Sequence, residues 1–286
     1  MSQRIEYYRI RDFSQKFNAT IEYLRQHFLS LFILILVVTV PFTVVGGFIQ
    51  YYFFAELQGM TFGANDPFEI FNLIGEAVPV FLLSMTLSLV LNSALFGSIF
   101  TYMRMTENNE QEVRPLEVIE KLVPKLAGIV VISVATSIIS VMGMFFFLIP
   151  GIYLAVVFSL TAPVYVFEDI SIGEAISKPF TLIRGKWWST FGLLVVTIML
   201  VSILTFAIAL PIGIVIGVNE VFGSEDLLSD QSAQFWQVVS SSVINSLSYV
   251  LFTLPSIALA FQYFNLTERT EGRGLKSEIE GFENIK

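Results

Sequence analysis

The sequence contains no cysteine and a single histidine, His27, among its 286 residues. The lack of cysteine excludes disulfides and thiol chemistry, and it leaves the redox compartment undetermined. Metal-dependent and acid–base catalysis use clustered His, Cys, Asp or Glu side chains. The sequence shows no such cluster, no P-loop and no serine-hydrolase or zinc-protease motif. We therefore expect that the protein is not an enzyme and uses no metal or other cofactor.

Charge is also scarce, since charged residues make up 14% of the chain and hydrophobic residues 55%. Soluble domains carry about 25% charged residues, so this composition predicts a polytopic membrane protein. No short apolar segment with a cleavage site comes near the N-terminus, so we predict no cleaved signal peptide. Five runs contain no charged residue at all: 28–55, 77–103, 126–167, 187–219 and 231–267.

The run 126–167 is long enough for two spans, because about 20 apolar residues cross a hydrocarbon core about 30 Å thick. Pro150 and Gly151 interrupt this run, and both residues favour a tight turn. All 16 Lys and Arg residues fall in four clusters, and the segments 49–76 and 218–235 have none. If all four clusters are cytoplasmic, an even number of spans separates each from the next. We therefore predict an outer hairpin turn at Pro150 and Gly151, with a re-entrant loop as the alternative.

The predicted fold is all-α, a polytopic membrane helix bundle of six transmembrane helices in three parallel hairpins. One membrane domain covers 1–286, with both termini in the cytoplasm. Its predicted parts are hairpin one with its preceding helix at 7–107, hairpin two at 114–168, hairpin three at 171–268 and a cytoplasmic tail at 269–286. The net charge of −8 then lies outside, on Glu56, Asp66, Glu69, Glu76, Glu220, Glu225, Asp226 and Asp230.

An amphipathic stretch precedes each hairpin and predicts an interfacial helix on the cytoplasmic leaflet. The apolar face of the first stretch consists of Ile10, Phe13, Phe17, Ile21, Leu24 and Phe28. Pro115 suits the first turn of the second helix. "SIGE" (171–174) has the form of a capping box for the third helix, and Pro179 should bend or end that helix. We favour flat anchoring helices over a platform for a cytoplasmic partner.

Hairpins one and three share sequence at both ends. "LRQHFLSLF" (24–32) resembles "IRGKWWSTF" (183–191), and "FTYMRMTE" (100–107) and "FQYFNLTE" (261–268) share F-x-Y-x-x-x-T-E. We interpret this as an internal repeat, with hairpin two as a degenerate third copy. The alternative is that both hairpins obey the same rules for entering and leaving a bilayer.

The stretch 148–196 resembles a bacterial family of six-helix proteins, the glycerophosphoryl diester phosphodiesterase membrane-domain family. The resemblance rests on Pro150-Gly151, Glu168, Glu174-Ala175 and the run "RGKWW" (184–188), and it is weaker at "KPF" (178–180). Family members that carry a phosphodiesterase barrel supply the family name, and this sequence has no barrel. The resemblance therefore implies a fold and a location in the bacterial cytoplasmic (inner) membrane, but no activity.

Basic and aromatic residues at the predicted cytoplasmic helix ends are candidate lipid-headgroup contacts, with ordinary anchoring as the alternative. They are Arg25, His27, Arg184, Lys186, Trp187 and Trp188. No predicted span contains a charge, unlike the spans of ion-coupled transporters. We predict an accessory or scaffold subunit of a membrane complex, with membrane lipids and proteins as partners and no nucleic acid. A carrier or channel for a lipid or another apolar solute is the alternative, and a membrane enzyme is disfavoured.

Overall fold

The computed structural model describes residues 5–59, 67–108, 113–222, 241–242, 244–276 and 279. These residues form helices and no strand: α1 Phe13–Gly59, α2 Pro67–Asn108, α3 Pro115–Phe146, α4 Leu148–Phe158, α5 Thr161–Glu168, α6 Ile172–Leu182, α7 Trp187–Phe222 and α8 Thr253–Glu271.

Six stretches of helix in the described residues are long and apolar enough to cross a membrane: Phe13–Phe53, Ala77–Glu107, Pro115–Phe146, Leu148–Glu168, Trp187–Pro211 and Ile244–Glu271. The all-α fold and the multi-pass membrane class are confirmed. The predicted outer acids Asp66, Glu225, Asp226 and Asp230 lie outside the described residues, as do the side chains of Glu56, Glu69, Glu76 and Glu220.

Two of the predicted helix starts are present. Helix α3 begins at Pro115, where the missing N–H of proline has no intrahelical acceptor to lose. Helix α6 begins with the predicted capping box, in which the Glu174 N–H donates to the Ser171 hydroxyl at 3.3 Å and the Ser171 N–H donates to the Glu174 carboxylate at 3.1 Å. Pro179 does not end α6, because the helix continues to Leu182.

Helix α1 includes both the first amphipathic stretch and the first predicted span, with a kink at His27. The side of the stretch that packs on the bundle is polar. It consists of the buried side chains Lys16, Thr20 and Tyr23. Three residues of the predicted apolar face, Ile10, Phe13 and Phe28, are exposed, and the other three are half-buried. This arrangement suits a membrane-embedded helix, because lipid tails are as apolar as leucine and do not drive apolar faces into the protein.

Packing is dense at one end of the bundle and sparse at the other. Helix α8 occupies the centre of the dense end, and all of its residues from Thr253 to Thr267 are buried. Helices α1, α2 and α7 contact it there. In contrast, the stretches 40–53, 77–90 and 202–211 contain no buried residue. The second end therefore presents apolar helix surface to its surroundings.

Helices α3 and α4 form the middle hairpin, and its turn is not where the sequence predicts it. The chain turns at Phe147, whose N–H donates to the Gly143 carbonyl at 2.9 Å. Pro150 is the third residue of α4, a position where a helical N–H has no intrahelical acceptor, so proline is tolerated. Gly151 serves helix packing, since a Cβ there would lie 2.3 Å from the backbone nitrogen of Met144. The predicted turn at Pro150 and Gly151 is therefore corrected to Phe147.

Candidate functional site: the polar end of the bundle

Four of the predicted headgroup residues are exposed. They are Arg25, Arg184, Lys186 and Trp188. Arg184 and Lys186 flank Gly185, whose φ of 73° is a left-handed conformation that glycine adopts without strain. The side chain of Trp188 is 77% exposed, which is unusual for tryptophan outside an interface or a membrane. The geometry leaves these side chains accessible, and their contact with lipid stays a prediction.

The other two predicted headgroup residues make contacts within the protein. His27 Nδ1 lies 3.0 Å from the Tyr102 hydroxyl on α2. Trp187 stacks on Phe191 and on Tyr153, with ring centroids 5.1 Å and 5.9 Å apart. Its indole N–H also donates to the Tyr153 carbonyl at 3.3 Å. His27 and Trp187 lie in the segments 24–32 and 183–191, which the internal repeat predicts to be equivalent. These two segments thus pack against different helices.

The contact between Trp187 and Tyr153 bears on membrane depth. Tyr153 lies six residues after Phe147, where the chain turns, or about 9 Å along a helix. The tip of the middle hairpin and the start of α7 are therefore close neighbours. In the predicted topology, these two points lie on opposite surfaces of a hydrocarbon core about 30 Å thick. The contact brings the two points closer together than a full core thickness, and the membrane depth of the tip stays a prediction.

Glu168, the last residue of α5, is the centre of an ionic cluster. Its side chain is 5% exposed and forms ion pairs with Lys178 and Arg273. The Tyr263 hydroxyl on α8 donates to the same carboxylate at 2.8 Å. Glu271 completes the cluster at 2.6 Å from both bases. Two acids compensate two bases, and together they join α5, α6, α8 and the segment after α8.

Lys16 forms a second buried cluster, this time without a carboxylate. Its side chain is 1% exposed, and its ammonium donates to Ser189 Oγ at 2.7 Å and to Gln262 Oε1 at 2.6 Å. The Gln262 amide in turn donates to Thr190 Oγ1 at 2.8 Å. Among the described residues, no acid forms an ion pair with Lys16. Neutral oxygens therefore compensate the ammonium, and they connect α1 to α7 and α8.

The chain segment before α1 packs across the same end of the bundle. The Arg11 backbone N–H donates to Asn265 Oδ1 at 2.8 Å, and its guanidinium lies 5.3 Å from the centre of the Phe261 ring. The Tyr7 hydroxyl lies 2.9 Å from Thr106 Oγ1. Burial raises the pKa of Tyr7 to about 12, so this hydroxyl stays protonated at neutral pH. The described N-terminal residues thus belong to the packed structure.

These clusters correct the expectation that the bundle contains no buried charge, because Lys16 and Glu168 are both buried charged side chains. Sequence reasoning missed them because both lie outside the charge-free runs: Glu168 directly follows the run 126–167, and Lys16 lies in the amphipathic stretch before the run 28–55. The two clusters hold their members in internal contacts, so neither presents a free nucleophile or general base. In the described part of the chain, no three His, Asp or Glu side chains are placed to hold a metal ion.

Comparison with protein-family models, with curated proteins and with solved structures found no match to this chain. The resemblance of the stretch 148–196 to a membrane-domain family therefore stays a prediction, and so does the bacterial location that it implies.

Proposed function

We propose that the protein is a non-catalytic accessory or scaffold subunit of a complex in the bacterial cytoplasmic membrane. The observation that supports this proposal most strongly is the burial of α8 from Thr253 to Thr267. A central helix buried over four turns fills the dense end of the bundle, which suits a packed support better than a path for a solute. The ionic clusters around Glu168 and Lys16 then make that end rigid, as a support for partners requires.

We also propose that all four basic clusters face the cytoplasm and that the middle hairpin is re-entrant. The contact between Trp187 and Tyr153 supports this, since it brings one arm of the hairpin to the start of α7. The tip is strongly apolar, with Phe145 84%, Phe147 70% and Ile149 80% exposed. Each such side chain gains about 1.5–3 kcal/mol on leaving water. A tip within the hydrocarbon satisfies both observations.

Single-cysteine variants test this topology, and the natural lack of cysteine makes them free of background. In intact cells, an impermeant maleimide should label Ser224→Cys, in the predicted outer segment, without permeabilisation. Ser277→Cys, in the predicted cytoplasmic tail, should be labelled only after permeabilisation. Phe147→Cys should be protected in both conditions and become reactive only when detergent removes the bilayer. Labelling of Phe147→Cys from outside would show that the hairpin crosses the membrane.

The scaffold proposal itself predicts a protein partner beside the exposed hairpin. A photo-reactive amino acid at Phe147 should cross-link in living cells to one polypeptide of discrete mass. The same group at Leu275, an exposed residue of the C-terminal segment, is the matched control and should not give that product. Cross-links to lipid alone, together with a monomer after purification in mild detergent, would contradict a scaffold role.

The carrier alternative has one observation in its favour, which is the lack of buried residues in 40–53, 77–90 and 202–211. Sparse packing at that end could admit an acyl chain between helices. Vesicles that contain the purified protein should then move a labelled lipid between leaflets faster than empty vesicles. Equal rates would eliminate this alternative and leave the scaffold proposal unaffected.

A further inference from the structure

A cavity of about 420 Å³ opens where α2, α3 and the end of α5 meet, and its lining includes neither Glu168 nor Lys16. Its lining consists of Thr101, Arg104, Met105, Lys121, Pro124, Lys125, Val166 and Asp169. Three of these residues are bases and one is an acid, so the lining carries a charge of 3 − 1 = +2 when all four are ionised. We refer to this feature as the basic cavity.

Asp169 holds two of the three bases in place. Its carboxylate forms ion pairs with Arg104 from α2 and with Lys125 from α3. The Arg104 guanidinium is also fixed by donation to the Val166 carbonyl at 2.7 Å. Hydrogen bonding from Arg104 lowers the pKa of Asp169 to about 2, so the carboxylate is ionised at neutral pH. The carboxylate of Asp169 thus orients two bases, and Glu107 is a further acid that acts on Arg104.

The third base adds to this excess of positive charge. Lys121 is exposed, and its ammonium forms no ion pair with any residue that the structure describes. It lies one helical turn before Lys125, on the same side of α3. The uncompensated charges of Lys121 and of the cluster around Asp169 therefore meet at one opening.

Thr101 supplies an independent indication of a ligand. It lines the basic cavity, its side chain is 4% exposed, and its hydroxyl has no hydrogen-bond partner among the described residues. A buried hydroxyl without a partner costs about 1–3 kcal/mol, and most buried hydroxyls in proteins are paired. An oxygen of a bound anion would accept this hydrogen bond.

We propose that the basic cavity binds a doubly charged phosphate group, as found in a phosphomonoester. The charge of the lining matches a dianion, and the bases approach it from two helices, as charge-assisted binding of phosphate requires. The ligand is either the headgroup of an anionic lipid or a soluble phosphate compound, since both present the same group. This proposal is independent of the scaffold role, because the cavity is distinct from the hairpin tip.

The test uses the full-length protein in detergent, with dioctanoyl phosphatidic acid, glycerol 3-phosphate and dioctanoyl phosphatidylcholine as probes in titration calorimetry. Phosphatidic acid should bind and phosphatidylcholine should not. Equally tight binding of glycerol 3-phosphate would identify a soluble ligand, and binding of the lipid alone would identify a headgroup. Failure of both phosphomonoesters to bind would overturn the proposal.

Three variants locate the binding in the basic cavity. Lys121→Glu should weaken binding by at least about 25-fold, because it removes one charge contact of about fivefold and adds a repulsive one. Lys276→Glu makes the same charge change on an exposed residue of the C-terminal segment and should bind as the wild type does. Unchanged binding by Lys121→Glu would overturn the assignment to this cavity.

Thr101→Val is the third variant, and it separates a ligand role from a structural one. Valine has the shape of threonine without the hydroxyl, so the melting temperature of the ligand-free protein should be unchanged or higher. Phosphatidic acid should bind about tenfold more weakly, and Thr101→Ser should restore the affinity. Wild-type affinity in Thr101→Val would show that the hydroxyl does not contact the phosphate.

Discussion

Gln262→Leu should destabilise the folded bundle by about 3 kcal/mol, whereas Gln262→Glu should keep or increase its stability. In the wild type, Gln262 Oε1 lies 2.6 Å from the buried ammonium of Lys16. The Lys16 ammonium donates to two oxygens in the wild type. Leucine removes one of them and leaves Ser189 Oγ. Glutamate keeps the oxygen and adds a negative charge next to the ammonium. The two variants thus change the same position in opposite electrostatic directions.

Reversible unfolding in mixed micelles, followed by tryptophan fluorescence, would measure these free energies. Lys16→Met in the Gln262→Leu background is the decisive control, because it removes the buried charge together with its acceptor. This double variant should regain part of the lost stability, since replacing both partners of a buried polar pair costs less than breaking it. Equal losses in the single and double variants would show that the ammonium is not what Gln262 compensates.

Some features of this fold can be predicted from the sequence, and others depend on contacts that only the structure shows. The spans can be predicted because hydropathy is a local property of the sequence. The capping box of α6 can be predicted because its two residues are three positions apart. The side of α1 that packs on the bundle cannot be predicted in this way. Periodicity identifies an apolar face, but in a bilayer that face packs on lipid as readily as on protein. Lys16 is therefore buried, while Phe13 and Phe28 are exposed.

The depth of the middle hairpin could not be predicted from charge. The positive-inside rule counts only how many times the chain returns to the same side. A hairpin that crosses twice and one that enters and leaves on the same side give the same distribution of Lys and Arg. The contact of Trp187 with Tyr153 bears on this choice because it joins residues 34 positions apart, and the depth of the tip stays a prediction. The basic cavity, formed by residues between 101 and 169, was missed for the same reason.

The internal repeat between hairpins one and three stays a prediction, although the burial of its equivalent residues agrees with it. Phe100 and Tyr102 in the first copy are fully buried, as are Phe261 and Tyr263 in the second. The hydroxyl groups of the two tyrosines have different partners, however. Tyr102 lies next to His27, and Tyr263 donates to Glu168. The second segment thus contacts the ionic cluster around Glu168, whereas Arg104 in the first segment pairs with Asp169.

Glu168→Ala should lower the free energy of unfolding by about 3 kcal/mol, because it breaks the ionic cluster around Glu168. The carboxylate of Glu168 is 5% exposed, so water cannot replace it as a partner for Lys178 and Arg273. Its removal leaves two bases beside one acid, Glu271, and deprives the buried Tyr263 hydroxyl of its acceptor. The exposed substitution Glu120→Gln on α3 is the matched control and should change the stability by less than about 0.5 kcal/mol.

A double-mutant cycle separates charge balance from simple loss of contacts. Glu168→Gln retains an oxygen for the Tyr263 hydroxyl but leaves the cluster with an excess positive charge. Lys178→Met removes one base, so the double variant leaves Arg273 and Glu271 as a balanced pair at 2.6 Å. The double variant should therefore be more stable than the sum of the single losses predicts, with a coupling of about 1–3 kcal/mol. Additive losses would mean that the four ions act as independent contacts, and the rigidity proposed for this end of the bundle would lose its electrostatic basis.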